Sequence, residues 1–320
     1  MRIFLTHSSA LEMLRDVRRN GVARPRAQRI TFQPNLPKGR SAWDELASSP
    51  ALMGVSQPLH VAVTHEGKRA RTSQVVYHSL RREPPERGFL KAANGIYYAN
   101  PEYCFLQMAG LLPPPKLIEL GFELCGTYVR DERPQGITAY GVDAVTSPLR
   151  LSNFLKANAG RSHVRVARRA LQYVRGRSNS PMETILAMLL CLPRSMGGYG
   201  LPAPCLNEKV PVRLPNGRIA ERYCDLYWKK LRLAFEYDSD EFHRTGEKWR
   251  RDSGRRAELG AEDIEVVSVA RSQVEDAREL EKLALLVCRR AGLRRDRERF
   301  TYASARGELR RQLIPWTFGL

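Results

Sequence analysis

Apolar and polar positions alternate in two distinct rhythms along this chain. "RIFLT" is a short apolar run, and in the following "HSSALEMLRDVRR" apolar residues recur every three or four positions, which predicts a strand and then a helix with Ser8 or Ser9 as N-cap. "NGVARPRAQRITFQPNLPKGR" has no period and is rich in Pro, Gly and Arg, so it reads as an exposed loop. "LHVAVTH" and "TSQVVYHS" have strand composition, separated by the polar turn "EGKRAR", and "GIYYAN" is a further short strand. "PEYCFLQMAGLL" carries Pro at a first-turn position and predicts a helix that stops before the prolines at 113–115. "KLIELGFELCGTYV" continues as a helix with a glycine break.

The helical rhythm then turns basic. In "HVRVARRALQYVRGR" Val164, Ala167, Leu171 and Val174 share one face while arginines crowd the other. Beyond it, "SNSPMETILAMLLCL" predicts a buried helix, and "VPVRLPNGRIAERYCDLYW" predicts a hairpin turning at "PNG". "KLRLAFEYD" is a third strand, apolar enough to be buried on both faces. A polar helix, "EKWRRDSGRRAELGA", ends near Gly260, then come a fourth strand "IEVVSVA" and the amphipathic helix "VEDARELEKLALLVCRRAGL". The pattern predicts an α/β fold with an N-terminal α/β module over 1–145, a basic helical connector over 146–179, a domain over 180–293 around a mixed sheet flanked by helices, and an arginine-rich tail over 294–320.

Composition narrows the partners. No apolar stretch is long enough to span a membrane, and the N-terminus lacks a signal-peptide pattern, so the expectation is a cytoplasmic protein. The six cysteines are scattered, with no C-x-x-C pair and no nearby histidine partner, and are flanked by apolar residues, which suits reduced core positions and argues against zinc. His7, His60, His65, His78 and His163 suggest no partner. The net charge of +19, mainly from arginine, points to a polyanion such as DNA, since the guanidinium fork suits phosphate.

Against that charge, "FEYDSDEFH" gathers acids. Asp225 ends the second hairpin strand, Glu236 and Asp238 occupy alternate positions on the next, and adjacent strands lie about 4.8 Å apart, so Asp225 and Glu236 can converge on one cation. Glu183 can add a fourth carboxylate. It also forms a capping box with Ser180, S-x-x-E, which needs no metal. Hard oxygen ligands suit Mg²⁺ or Mn²⁺, and such an ion polarises a phosphodiester. Pairing of Glu236 with an arginine is the alternative, and Asp252 with Arg255 is spaced as an i, i+3 pair.

These residues also carry a resemblance. "SPME", "DLYW", "AFEYDS", His243, "RRDSGRRAEL" and "IEVVSV", from about Ser180 to Leu293, resemble the PD-(D/E)XK superfamily in its very-short-patch-repair-like branch. The resemblance implies a restriction-endonuclease-like fold and a metal-dependent nuclease. In it Asp225 and Glu236 hold Mg²⁺, Glu183, Asp238 and His243 complete the catalytic set, and Lys248, Arg251, Arg255 and Arg256 grip DNA. The superfamily's usual lysine is Asp238 here, and the glycine usual after it is Ser239, so His243 or Lys248 would have to serve as proton donor or phosphate ligand. "SALEMLR", "YYANPEYCFLQMA" and "LIELGFELCGTYV" resemble, more loosely, AbiEi-type proteins of abortive-infection and type IV toxin–antitoxin systems. The expected function is a nuclease-like DNA-binding protein in defence against foreign DNA; the alternatives are a non-catalytic DNA-binding regulator with a cognate toxin or antitoxin partner, and a helper protein that binds RNA.

Overall fold

The computed structural model describes residues 1–22, 28–64, 72–130, 138–238, 246–293 and 302–314, and for 246–252 the backbone alone. The fold is α/β, in two compact units, Met1–Gln172 and Tyr173–Leu320. The division falls inside the stretch read as a connector. Among the described residues no helix is long and apolar enough to cross a membrane.

The first unit runs β1 (Ile3–Leu5), α1 (His7–Arg19), α2 (Arg40–Ala47), β2 (Leu59–Thr64), β3 (Val75–Leu80), β4 (Phe89–Ala93), β5 (Ile96–Ala99), α3 (Pro101–Met108), α4 (Pro114–Cys125), β6 (Tyr128–Val129), β7 (Ala139–Tyr140), α5 (Pro148–Ala157) and α6 (Val164–Leu171). Its main sheet has the order β3-β2-β1-β5-β4. Pairing departs from the local reading, because β2 and β3 lie parallel, Leu59 beside Val75 and Thr64 beside Leu80. A tight turn joins antiparallel strands only, and the segment read as that turn, 66–71, lies outside the described residues.

Local chemistry explains two other departures. The N-cap of α1 is Thr6, which makes no side-chain cap bond, while the Ser9 hydroxyl accepts the His60 amide at 2.9 Å and so ties the helix to β2. The helix α4 stops at Cys125, short of the expected Val129. There the Arg18 guanidinium donates to the carbonyls of Glu123 (3.0 Å), Gly126 (2.8 Å) and Asp143 (3.0 Å), which adds to the amide of Gly126 a charged donor for the helix end. The basic segment uses Val164, Ala167 and Ala170 to pack on this unit, leaving Arg165, Arg168 and Arg169 exposed.

The second unit runs α7 (Pro181–Cys191), β8 (Cys205–Arg213), β9 (Ile219–Trp228), β10 (Leu233–Asp238), α8 (Gly246–Ala261), β11 (Glu265–Ala270), α9 (Arg271–Glu275), α10 (Ala277–Arg290) and α11 (Ala303–Leu313). The sheet order is β11-β10-β9-β8, antiparallel across β8, β9 and β10 and parallel between β10 and β11, with α8 as the crossover. The expected hairpin closes through the Leu214 amide on the Arg218 carbonyl at 2.8 Å, with Gly217 in the left-handed region. The single helix expected over 274–293 is broken at Asp276, whose extended backbone and carboxylate cap α10 by accepting the amides of Arg278 and Glu279.

β10 lies between two neighbours, so its unbroken apolar run is buried: Leu233, Ala234 and Phe235 are fully enclosed. Phe235 meets Trp228 edge to face at 5.1 Å, and the Trp228 indole donates to the Pro202 carbonyl at 2.6 Å. Leu259 of α8 packs with Val210, Val212, Cys224, Tyr227, Ala234 and Ile264. This packing sets α8 beside the end of β10. Phe235→Ala is expected to cost about 3–5 kcal/mol, read by chemical denaturation, because the site cannot collapse around the missing ring. A cost under about 1 kcal/mol would mean β10 is not the centre of this core.

Candidate metal centre

One level of the second sheet carries polar residues on all four strands. Cys205↔Tyr227, Leu206↔Leu226 and Glu208↔Cys224 are paired, which sets Asn207 of β8 level with Asp225 of β9. Phe235 pairs with Leu226, so one step on Glu236 of β10 is level with Asp225, and Glu236 pairs with Ser268 of β11. Asn207, Asp225, Glu236 and Ser268 thus cross the sheet in one row. Asn207 adopts positive φ, a conformation asparagine tolerates better than most residues.

Glu183 approaches the row from the start of α7. Its Oε2 accepts the Asn207 side-chain amide at 2.6 Å and the Asn179 backbone amide at 2.9 Å, while Oε1 accepts the Ser180 hydroxyl at 3.0 Å. The Ser180 hydroxyl in turn accepts the Glu183 amide at 3.1 Å. The cap is therefore present, with the amide of Asn179 in place of that of Ser180. It does not exhaust the residue. Burial, reinforced by the Asp225 carboxylate, pushes the Glu183 carboxyl up to about 7.

Asp225 and Glu236 share that electrostatic field. Burial raises the Asp225 carboxyl, and the Tyr237 amide, donating to Oδ2 at 2.9 Å, together with Arg255 opposes the rise. Burial also raises Glu236, with Arg255 opposing and Asp225 adding to it. Arg255 of α8 donates to Glu236 Oε2 at 2.5 Å, and Arg256 donates to the Ser268 hydroxyl at 2.5 Å. The arginine pairing considered for Glu236 is present on one oxygen of its side chain. One oxygen is paired with an arginine, while the other, Oε1, is buried without a hydrogen-bond partner among the described residues. The Nε atoms of Arg255 and Arg256 are likewise buried and unsatisfied among those residues.

Such atoms are costly unless something answers them. A hard divalent cation answers the carboxylate oxygen and a phosphate answers the guanidinium edges, so the residues fit a Mg²⁺ or Mn²⁺ site. Asp238 ends β10 half-buried beside Ala270, two residues beyond Glu236. His243 lies outside the described residues, as do the side chains of Lys248, Arg251 and Asp252. The sequence reading does not single out Asn207 or Ser268; for Ser268 the local signal is one polar residue inside the apolar run "IEVVSVA", and Asn207 in "CLNEKV" is followed by further polar residues and has none.

The acids do not form the tightest ligand set. Among the described residues, the three ligand atoms that lie within 4.8 Å of one another belong to His7, His60 and His78, for which the sequence suggests no partner. Burial, then repulsion from neighbouring histidines, holds His7 down to about 3 and His78 to about 4.

The sign of the pH dependence at Glu183 is definite. An unfolded chain releases that proton near 4.5 and the folded chain keeps it until about 7, so the folded state binds more protons in between. Stability contributed by Glu183 is therefore full below 4.5 and is lost as pH rises to about 7. Glu183→Gln should melt with a shallower decline across that window than wild type, and millimolar Mg²⁺ should flatten the wild-type curve. Parallel curves for the two proteins would remove Glu183 from the coupled set.

The chain matches no family model, no curated protein and no solved structure.

Proposed function

We propose that this protein is a metal-dependent, nuclease-like DNA-binding protein acting in defence against foreign DNA. The observation that carries the reading is the buried Oε1 of Glu236, unanswered among the described residues. It stands level with Asp225, in the field that also raises Glu183, with two arginines bonded along the same row. The element order α7-β8-β9-β10-α8-β11 supports the restriction-endonuclease-like expectation.

In this reading Asp225 and Glu236 hold Mg²⁺ or Mn²⁺, which when bound polarises a phosphodiester and lowers the pKa of a coordinated water. Glu183, held by Ser180, Asn179 and Asn207, fixes the start of α7 against the row and raises its negative potential. Arg255 neutralises part of that potential and, with Arg256, offers an unsatisfied Nε to a phosphate. Asp225 spends one oxygen on the Tyr237 amide, which fixes its carboxylate relative to β10. The exposed arginines hold the rest of the polyanion without reading its sequence.

One observation favours a second reading. Arg255 occupies an oxygen of Glu236, and an acid, Asp238, stands at the superfamily's lysine position. That arrangement suits a DNA-binding regulator of a toxin–antitoxin or abortive-infection system that has kept the fold without the cutting.

Incubation with duplex DNA and Mg²⁺ tests the primary reading. Wild type should nick or cut, and Glu236→Gln should lower the rate by about 100-fold or more, the scale on which loss of a charge-stabilising group acts. Both proteins should bind duplex DNA with affinity that falls steeply with salt. Salt-sensitive binding with no cleavage in Mg²⁺ or Mn²⁺ selects the regulator. Affinity that stays flat with salt overturns both.

A further inference from the structure

The first unit holds a second constellation, independent of the acidic row. His7 opens α1 immediately after β1, His60 lies on β2 and His78 on β3. β1, β2 and β3 are successive neighbours in the sheet, so three residues scattered over the first quarter of the chain meet at one place. His60 Nδ1 and His78 Nε2 are 2.9 Å apart, and the His7 ring stacks on that of His78 with centroids 3.7 Å apart. One ring nitrogen from each residue lies within 4.8 Å of the other two.

Packing alone accounts poorly for this cluster. A neutral imidazole presents one donor and one acceptor, and a buried nitrogen without a partner is unfavourable. His7 Nδ1 is buried with no hydrogen-bond partner among the described residues, and Thr6 Oγ1 and Gln107 Nε2 are unsatisfied in the same sense. The His7 backbone adopts a left-handed φ of 50°, an uncommon conformation for a residue with a side chain, and its amide donates to Gln107 Oε1 at 3.1 Å. All three histidines are only half-buried, which leaves an approach for a small ion.

We propose that His7, His60 and His78 form a binding site for a divalent transition-metal ion of the zinc class. Imidazole nitrogen suits Zn²⁺, whereas Mg²⁺ prefers oxygen, so this site and the acidic row take different ions. The ion fastens the start of α1 to β2 and β3. Three protein nitrogens leave a fourth tetrahedral position for water or an incoming ligand, the coordination used by hydrolytic zinc sites.

The test uses the untagged full-length protein, because a polyhistidine tag would bind zinc itself. After stripping with chelator, the chain is dialysed against Zn²⁺ and passed through gel filtration, and metal per chain is measured. One equivalent of zinc is expected to be retained, and Co²⁺ in its place should give the visible absorption of a four-coordinate site that Zn²⁺ then bleaches. His60→Gln and His78→Gln should each weaken zinc binding by more than the about 10- to 100-fold that loss of an outer partner costs. Circular dichroism confirms that each variant is folded; if neither folds, the cobalt spectrum of wild type decides. The double variant Asp225→Asn with Glu236→Gln should keep its zinc whether or not the nuclease reading survives. Wild type without retained zinc, a cobalt spectrum of the six-coordinate kind, folded variants that bind as tightly as wild type, or loss of zinc from the acidic double variant would each overturn the proposal.

Discussion

A carboxylate in the middle of an apolar strand constrains the whole second unit. Glu236 follows Leu233, Ala234 and Phe235 in the buried strand β10, where an unpaired charge is strongly unfavourable. The chain answers with Arg255, which holds one of its oxygens and thereby fixes where α8 can lie. Leu259, one helical turn further along α8, closes the core with Ile264 and Val210. The second oxygen stays unanswered among the described residues, and burial, with the Asp225 carboxylate adding to it, raises the proton affinity of Glu236 and of Glu183. A fold that only needed to bury β10 would have placed an apolar residue at 236. What is gained is a local concentration of negative charge that a cation can relieve, beside guanidinium edges that a phosphate can satisfy.

The first unit handles buried charge differently, by completing the pairs. Arg15 grips Glu123 with two parallel bonds, 2.9 and 2.7 Å, both side chains nearly enclosed. Arg18 spreads its guanidinium over three carbonyls, and Glu119 is shared by Lys116 and Arg130. These bonds lock α1 to α4 and to the chain that follows it. The unsatisfied atoms around His7 sit at the opposite end of α1, where the helix meets β2 and β3. Arg165, Arg168 and Arg169 are exposed, while the buried charged groups among the described residues are Arg18 and the acids Glu102, Glu119, Glu123, Glu183 and Glu236.

Much of the second unit was legible from the chain because each signal there is local. The capping serine before Pro181, the "PNG" turn, the continuous apolar run of β10 and the amphipathic α10 report their own conformation within a few residues. Asp225 and Glu236 were accessible to the same reasoning, since a hairpin followed by a third strand brings neighbouring acids level with each other. Asn207 and Ser268 were not, because their membership of the row depends on register across four strands and on where the crossover helix returns the chain.

In the first unit the sequence by itself determined β1, α1, β2, β3, β5, α3, most of α4 and the basic helical face, all consequences of side-chain chemistry at short range, whereas α2, β4, β6 and β7 carry no such local signal. Only the tertiary structure decided that β2 and β3 run parallel, that α4 ends where Arg18 donates to its carbonyls, and that α6 packs on α4 and α5. Only it could bring His7, His60 and His78 together. They lie on three different elements, His7 at the start of α1 and the other two on β2 and β3, so no rule within one element relates them, and their meeting follows from the order in which the strands were laid side by side.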